Sequence, residues 1–399
     1  MRKSDYIYKT MHVTPAAASL EVLLKSRLCI LMDRGYEVVG FSSSDGLGKD
    51  VDPLGIFHVS GFKYIESNHL TRKFNILSDI KFMLEAYIFF RKERPDIVNT
   101  YGPKPGVFAR IAAGLARVPV VVHTSWGLYF TDKTPWYKKF PIIAMERISS
   151  VFCDYIFSVN KDDLALMKKY RFLPNERIGY LGNATDLSSF DPANVDQKTF
   201  EDLKAELEIP AGALVVGISG RLTYSKGYRE FIAAAREIKK KSYNVVFVAF
   251  GVLDNSKGDG VSLEEINALE DEGVLIYGGM WPQEKMPVVY SIFDIVVLPS
   301  YREGFPRTLV EAAAMAKPLV STDTRGCREA VDEGENGFLV PVGDSVLLAE
   351  AIEKLLKDKQ LRERFGVRSR LKALNEYDEK VLVGKVINVY KDYMPNRKS

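Results

Sequence analysis

Apolar and polar positions along this chain switch repeatedly between two signatures: short continuous apolar runs, and longer stretches with apolar residues every three or four positions. Glu37–Ser42 reads as a short buried strand after the amphipathic segment Leu20–Arg34. Phe74–Arg94 carries Leu77, Ile80, Met83, Leu84, Tyr87 and Ile88 at helical spacing, which predicts a long helix stopped by Pro95. Further strands are predicted at Asp96–Asn99, Pro119–His123 and Cys153–Val159. A small-residue helix is expected over Gly106–Arg117 and another from Lys161. The same grammar restarts in the second half. Strands are predicted at Leu214–Ser219, Asn244–Phe250, Val274–Tyr277, Ile295–Leu298 and Leu319–Ser321, with a helix at Tyr228–Lys241. The tail predicts three helices, near Ser345–Lys357, Gln360–Leu374 and Glu379–Tyr393. Alternating strands and helices predict an α/β chain of two doubly wound, Rossmann-like domains with parallel sheets. Asn183–Asp196, rich in Asn, Asp, Ser and Pro, reads as the linker between them. In this class a ligand cleft is expected outside the carboxyl ends of the strands.

Composition narrows the class. The chain has 399 residues, 46% hydrophobic and 27% charged, which excludes a disordered or fibrous protein and suffices for two sizeable cores. Three cysteines, Cys29, Cys153 and Cys327, are odd in number and far apart, so a disulfide framework is not expected and a reducing compartment is. Four histidines, His12, His58, His69 and His123, give no zinc spacing. Asp5, Lys9, His12 and Glu21 interrupt any signal-peptide core, and the longest apolar run, near Val245–Phe250, is far too short to span a bilayer. The expected setting is the cytosol, with a membrane approached from that side. Charge is unevenly distributed. Residues 1–200 hold 27 Lys and Arg against 21 Asp and Glu, residues 201–350 hold 15 against 24, and residues 351–399 hold 13 against 7. Different domains are thus expected to carry different tasks.

Two motifs carry chemistry. Gly220-Arg221-Leu222, followed by Lys226-Gly227, leaves the strand Leu214–Ser219 and opens the Tyr228 helix. A glycine lets backbone approach a ligand, two cations face it, and a helix start adds amide donors, which together suit a diphosphate. The bland alternative is a solvated strand-end Arg and Lys. The second motif, Glu303-Gly304-Phe305-Pro306-Arg307-Thr308-Leu309-Val310-Glu311, follows the strand Ile295–Leu298. Pro306 fits a first helical turn, which places Glu303 in the preceding loop and Glu311 inside the helix. Carboxylates accept two hydroxyls at once and so suit sugars; the alternative is an acidic pair that only complements the helix dipole.

Two glutamates in this spacing after GRL…KG resemble the retaining family 4 glycosyltransferases of GT-B architecture. Supporting stretches are Arg94-Pro95-Asp96-Ile97-Val98, Lys104-Pro105-Gly106 with Ala109-Arg110, and Leu181-Gly182-Asn183 with Asp186. Leu298-Pro299-Ser300 and Asn336-Gly337-Phe338-Leu339-Val340 add to them. The resemblance runs over roughly residues 10–358. It implies two Rossmann-like domains facing a central cleft: residues 1–190 for the acceptor and 191–377 for the donor, with a C-terminal helix, 378–399, returning to the first. Arg221 and Lys226 would hold the donor diphosphate, next to Gly220, and Glu311 the ribose hydroxyls. Glu303, with the Gly304 and Phe305 amides, would hold the transferred sugar, and Thr308 and the Leu309 amide would touch the phosphates. Retention by front-face attack is implied, without a protein nucleophile, cofactor or essential metal.

The chain departs from that pattern in two places. Where the family carries a histidine before the glycine of its HG loop, this chain reads Trp126-Gly127, and its N-terminal glycine-rich loop is Pro15-Ala16-Ala17-Ala18. His123, three residues upstream of Trp126, is either a sugar contact or a strand-end histidine bonded to backbone. Lys104 and Trp126 are further possible sugar or acceptor contacts. Trp126–Arg147 interleaves Trp126, Tyr129, Phe130, Trp136, Tyr137 and Phe140 with Lys133, Lys138 and Lys139. It suits either a lipid headgroup interface or a core-packed segment with a lysine edge. No nucleic-acid-binding motif accompanies it.

The expected partners are therefore a nucleotide sugar, UDP-linked as the resemblance implies, a glycan or lipid-linked acceptor, and an anionic membrane surface. A UDP-sugar 2-epimerase and a non-catalytic sugar-nucleotide-binding subunit remain open; an NAD dehydrogenase is disfavoured because no GxGxxG follows the first strand.

Overall fold

The computed structural model describes residues 7–44, 61–71, 75–253 and 258–394. It divides into two compact units, Met1–Gly182 with Glu379–Ser399, and Asn183–Asp378. Each is built on one wholly parallel sheet. The first unit contains β1 Tyr8–Val13, β2 Tyr36–Ser42, β3 Lys63–Glu66, β4 Ile97–Tyr101, β5 Val120–Ser125, β6 Tyr155–Ser158 and β7 Ile178–Tyr180, in the order β3-β2-β1-β4-β5-β6-β7. The second contains β8 Leu214–Ser219, β9 Val245–Phe250, β10 Ile276–Tyr277, β11 Ile295–Leu298, β12 Leu319–Thr322 and β13 Gly337–Val340, in the order β10-β9-β8-β11-β12-β13. In both sheets the order reverses beside the first strand, at β1/β4 and β8/β11, where doubly wound folds bind ligands.

Central strands such as β4, β5, β9 and β11 are buried at every position, as expected when helices cover both faces. The predicted strands and the three tail helices are present, with ends within two residues of those expected. Three strands of the first sheet carried no clear apolar run. β1 has Thr10 and His12 in its interior, satisfied by hydrogen bonds and fully buried. β3 and β7 lie at the sheet edges, where half the surface is solvated.

One expectation is corrected. The segment 183–190 belongs with the second unit, not the first. The Thr185 amide bonds Tyr377 O at 3.0 Å, Phe190 packs against Tyr290, and Arg370 donates to Phe190 O. The helix Ile76–Glu93 forms where periodicity placed it and is capped by Asn75, whose side chain accepts from the Leu77 and Ser78 amides. Its buried side, however, is Asp79, Phe82, Ala86 and Phe90, while Leu77, Ile80, Leu84 and Ile88 point to solvent. The C-terminal helix Glu379–Tyr393 packs on the first unit. Tyr390 OH accepts from Asn99 Nδ2 at 3.0 Å, and Glu379 pairs with Arg27 at 2.8 Å.

Candidate functional site

In the second unit, the segments that leave the central strands on either side of the switch point converge. β8 is followed by Gly220, whose amide bonds Phe250 O at 2.9 Å, and by exposed Arg221. A single turn, Tyr224–Lys226, then delivers the chain to Gly227, with φ of 82°. A Cβ at Gly227 would stand 2.1 Å from Pro299 O, so only glycine lets the β8 loop lie against the β11 loop. Tyr301 N bonds Ser225 O at 3.0 Å and fixes the same contact. Gly227 also opens the helix Tyr228–Lys239, whose first turn is oriented by this packing.

The two loops bring Lys226 and Glu303 together. Lys226 Nζ lies 2.5 Å from Glu303 Oε1, both side chains largely withdrawn from water. The Glu303–Gly304 loop is backed by Gly326, where a Cβ would come 2.5 Å from Gly304 O. Cys327 beside it is buried, and burial, then the charge of Glu303, pushes its thiol up to about 11, so it stays protonated and unreactive. Phe305 is buried edge-on against Tyr377, and its carbonyl accepts from Asn183 Nδ2 at 2.9 Å.

Pro306 is the N-cap, and the helix Arg307–Ala314 starts one residue later than expected. The hydroxyl of Thr308 donates to Ser219 O at 3.2 Å, tying this helix to the end of β8. The Leu309 amide bonds Pro306 O at 3.2 Å. Glu311 is buried and held on both oxygens. Its Oε1 accepts from Gln283 Nε2 and Arg307 Nε, each at 2.6 Å, and its Oε2 from Tyr290 OH at 3.0 Å. Burial and then the Glu311 charge drive the Tyr290 hydroxyl well above its ordinary range, so it remains a donor. Sequence reasoning missed these three donors. Arg307 was visible as the i,i+4 partner of Glu311, but Gln283 and Tyr290 come from two other elements and carry no local signal.

In the first unit His123 and Lys104 take up internal positions, and Trp126 is half-buried. His123, on β5, is 3% exposed, and its Nδ1 lies 3.0 Å from Thr100 Oγ1 and 3.1 Å from Thr100 O. A Cβ at Gly106 would meet its ring at 2.6 Å. Burial, then the nearby Arg110 charge, keeps the ring neutral. Of the two readings of His123, the structure thus has the strand-end histidine bonded to backbone. Lys104 is buried in a 2.6 Å ion pair with Asp79. The Trp126 ring packs on Tyr101 with centroids 5.3 Å apart, and Tyr101 OH meets His12 Nδ1 at 3.0 Å. The aromatic–lysine segment divides. Phe130 is in the core, whereas Trp136, Tyr137 and Phe140 project outward from the helix Trp136–Ser150.

Among the described residues, no group of three or more His, Cys, Asp and Glu could hold a metal ion, and no helix is long and apolar enough to cross a membrane.

Two family models match the chain. "Glycosyltransferase Family 4" matches residues 30–189 and "Glycosyl transferases group 1" residues 199–372. The chain is similar to a capsular polysaccharide biosynthesis glycosyltransferase, CapM, of Staphylococcus aureus, with 27% identity over 97% of each chain. It is also similar to an Escherichia coli UDP-Gal:alpha-D-GlcNAc-diphosphoundecaprenol alpha-1,3-galactosyltransferase, with 27% identity over 82% of this chain and 83% of the relative. Among solved structures, Anabaena Alr3699/HepE in complex with UDP and glucose superposes with a TM-score of 0.79 at 18% identity, over 96% of this chain and 99% of that one.

Proposed function

The chain belongs to the family 4 glycosyltransferases, enzymes of GT-B fold, and on that premise we propose that it moves a sugar from a UDP-linked donor to a hydroxyl of a glycan or lipid-linked acceptor, with retention of configuration. The observation that carries this reading is the meeting of Lys226, Glu303 and the Arg307–Ala314 helix at the end of β8. Arg221 and Lys226 supply the positive charge that a departing diphosphate needs. Preorganised donors of this kind stabilise developing charge by about 2.7–4 kcal/mol each. Glu311, already held rigid by Gln283, Arg307 and Tyr290, offers a fixed carboxylate to ribose hydroxyls. Glu303 offers its carboxylate to the sugar once a phosphate draws Lys226 away.

The acceptor side of the proposal draws on two observations. The E. coli relative is named for a diphosphoundecaprenol-linked acceptor. The helix Trp136–Ser150 exposes Trp136, Tyr137 and Phe140 beside Lys138, a composition suited to a headgroup layer. We therefore place the enzyme at the cytoplasmic face of a membrane, peripherally bound, in surface polysaccharide or glycolipid synthesis.

A panel of nucleotide sugars, with released UDP as the readout, tests the assignment. Release is expected with a UDP-hexose or UDP-N-acetylhexosamine in the presence of a lipid-linked acceptor, and undiminished after EDTA treatment, since Arg221 and Lys226 already supply the charge. Conversion of UDP-GlcNAc to a second UDP-sugar without acceptor would make it an isomerase, and tight donor binding without turnover would make it a binding subunit.

A further inference from the structure

The apolar stripe of the helix Ile76–Glu93 faces away from the core. Leu77 is 73%, Leu84 54% and Ile88 61% exposed, and Ile76, Ile80 and Tyr87 share the outer side. At a rise of about 1.5 Å per residue the stripe runs about 18 Å. An exposed apolar surface of this extent marks an interaction site. What accompanies it identifies the partner. The other exposed side chains of the helix are Lys81, Arg91 and Lys92. All of its carboxylates turn inward. Asp79 is paired with Lys104 at 2.6 Å, Glu85 accepts from Ser67 Oγ at 2.5 Å and the Asn68 amide at 3.0 Å, and Glu93 is paired with Lys9 at 2.8 Å and Lys63 at 2.6 Å.

The helix Trp136–Ser150 repeats the arrangement. Its one acid, Glu146, is buried against Arg110 at 2.5 Å, while Trp136, Tyr137, Lys138, Phe140 and Arg147 face outward. Both helices pack against Arg110–Leu115, whose last residue, Leu115, is itself exposed.

We propose that these outer helix faces together form one surface of the first unit that seats on an anionic lipid bilayer, with the Ile76–Glu93 stripe entering the headgroup–acyl boundary. The proposal rests on the membrane reading above and extends it to a second helix, whose apolar stripe is exposed. Apolar residues with Lys and Arg, and no exposed acid, suit an anionic interface, where basic side chains add electrostatic attraction and apolar ones a salt-resistant part.

Co-sedimentation with phosphatidylcholine vesicles, with and without phosphatidylglycerol, tests it on the full chain. The wild type is expected in the pellet with phosphatidylglycerol. A Leu77→Glu, Leu84→Glu, Ile88→Glu variant is expected to lose binding by about tenfold or more, with an unchanged thermal melt because all three sites are exposed. An environment-sensitive fluorophore on Leu84→Cys, in a Cys29→Ser background, should shift to the blue when these vesicles are added. Wild-type binding with an unaffected triple variant and no spectral shift overturns the proposal while leaving membrane association through Trp136, Tyr137 and Phe140 intact. A wild type that stays in the supernatant with anionic lipid removes the membrane reading itself. Concentration-dependent dimers abolished by Leu84→Glu, without vesicle binding, would make the face a contact between two copies.

Discussion

At the candidate site Lys226 and Glu303 neutralise one another at 2.5 Å. A diphosphate that takes Lys226 must displace Glu303, so donor binding and release of the sugar-binding carboxylate are one event. Glu303→Gln removes that competition. We expect UDP to bind about fivefold tighter, the loss of a pair worth about 1 kcal/mol, while turnover falls at least tenfold because the sugar loses its charged acceptor. Calorimetry with UDP on this variant and on Lys226→Ala checks it. Unchanged or weaker UDP binding by Glu303→Gln would mean the pair is structural. Much of this site was legible in the chain. Gly220, Arg221, Lys226, Glu303 and Glu311 stand in motifs whose residue types suit a diphosphate and a sugar. The pairing of Lys226 with Glu303, 77 residues apart, was not, nor was the clamp on Glu311 from Gln283 and Tyr290, since both depend on how separate loops meet. His123 and Lys104 show the converse. Their residue types suggested ligand contacts, but burial and local partners hold them inside the first unit.

At the scale of elements, periodicity located strands and helices but did not tell a helix's core side from an outward apolar side. In Ile76–Glu93 the outward stripe is the longer of the two, so the pattern is strong and its direction is set only by tertiary packing. β1 shows the other failure, an interior strand whose buried polar residues hide it from a hydrophobicity scan. Those polar residues have a thermodynamic consequence. Burial lowers the His12 pKa from 6.5 to about 3, and His123 is held well below its ordinary value. Below about pH 6.5 the unfolded chain therefore takes up protons that the folded sheet refuses. Their contribution to stability is intact above that pH and is lost as the pH falls toward the folded pKa values, at about 1.4 kcal/mol per pH unit for each histidine. Urea unfolding between pH 6 and pH 4 should thus be less pH-dependent for His12→Gln than for wild type, by about one proton's slope. Equal slopes would show that His12 is protonated in the native sheet.

For the whole molecule, the chain closes on itself: its last described helix completes the unit that contains its first strand. Polar contacts at both ends of the helix support this return. Arg27 Nε pairs with Glu379 Oε1 at 2.8 Å, with Glu379 2% exposed, and Asn99 reaches Tyr390 OH on the far end of the helix. Leu28, Leu31, Leu382, Val383 and Val386 line a small space of about 20 Å³ beside the ion pair, together with His12 and Tyr101. The ion pair therefore sits at the edge of an apolar seam, where loss of one partner leaves the other charge buried. Removing one member of a buried pair costs about 3–5 kcal/mol. Arg27→Met keeps the apolar stem and removes the charge, so it isolates that term from packing. We expect the variant to lower the unfolding midpoint of the first unit, and hydrogen exchange to show lost protection in β1, β4 and the helix Glu379–Tyr393. Protection in β8 and β11, and UDP affinity, should stay at wild-type values, because Asn183–Asp378 holds its own core and its own candidate site. Equal loss of protection in both sheets would instead mean that the two units unfold as one, and that the returning helix stabilises the entire chain.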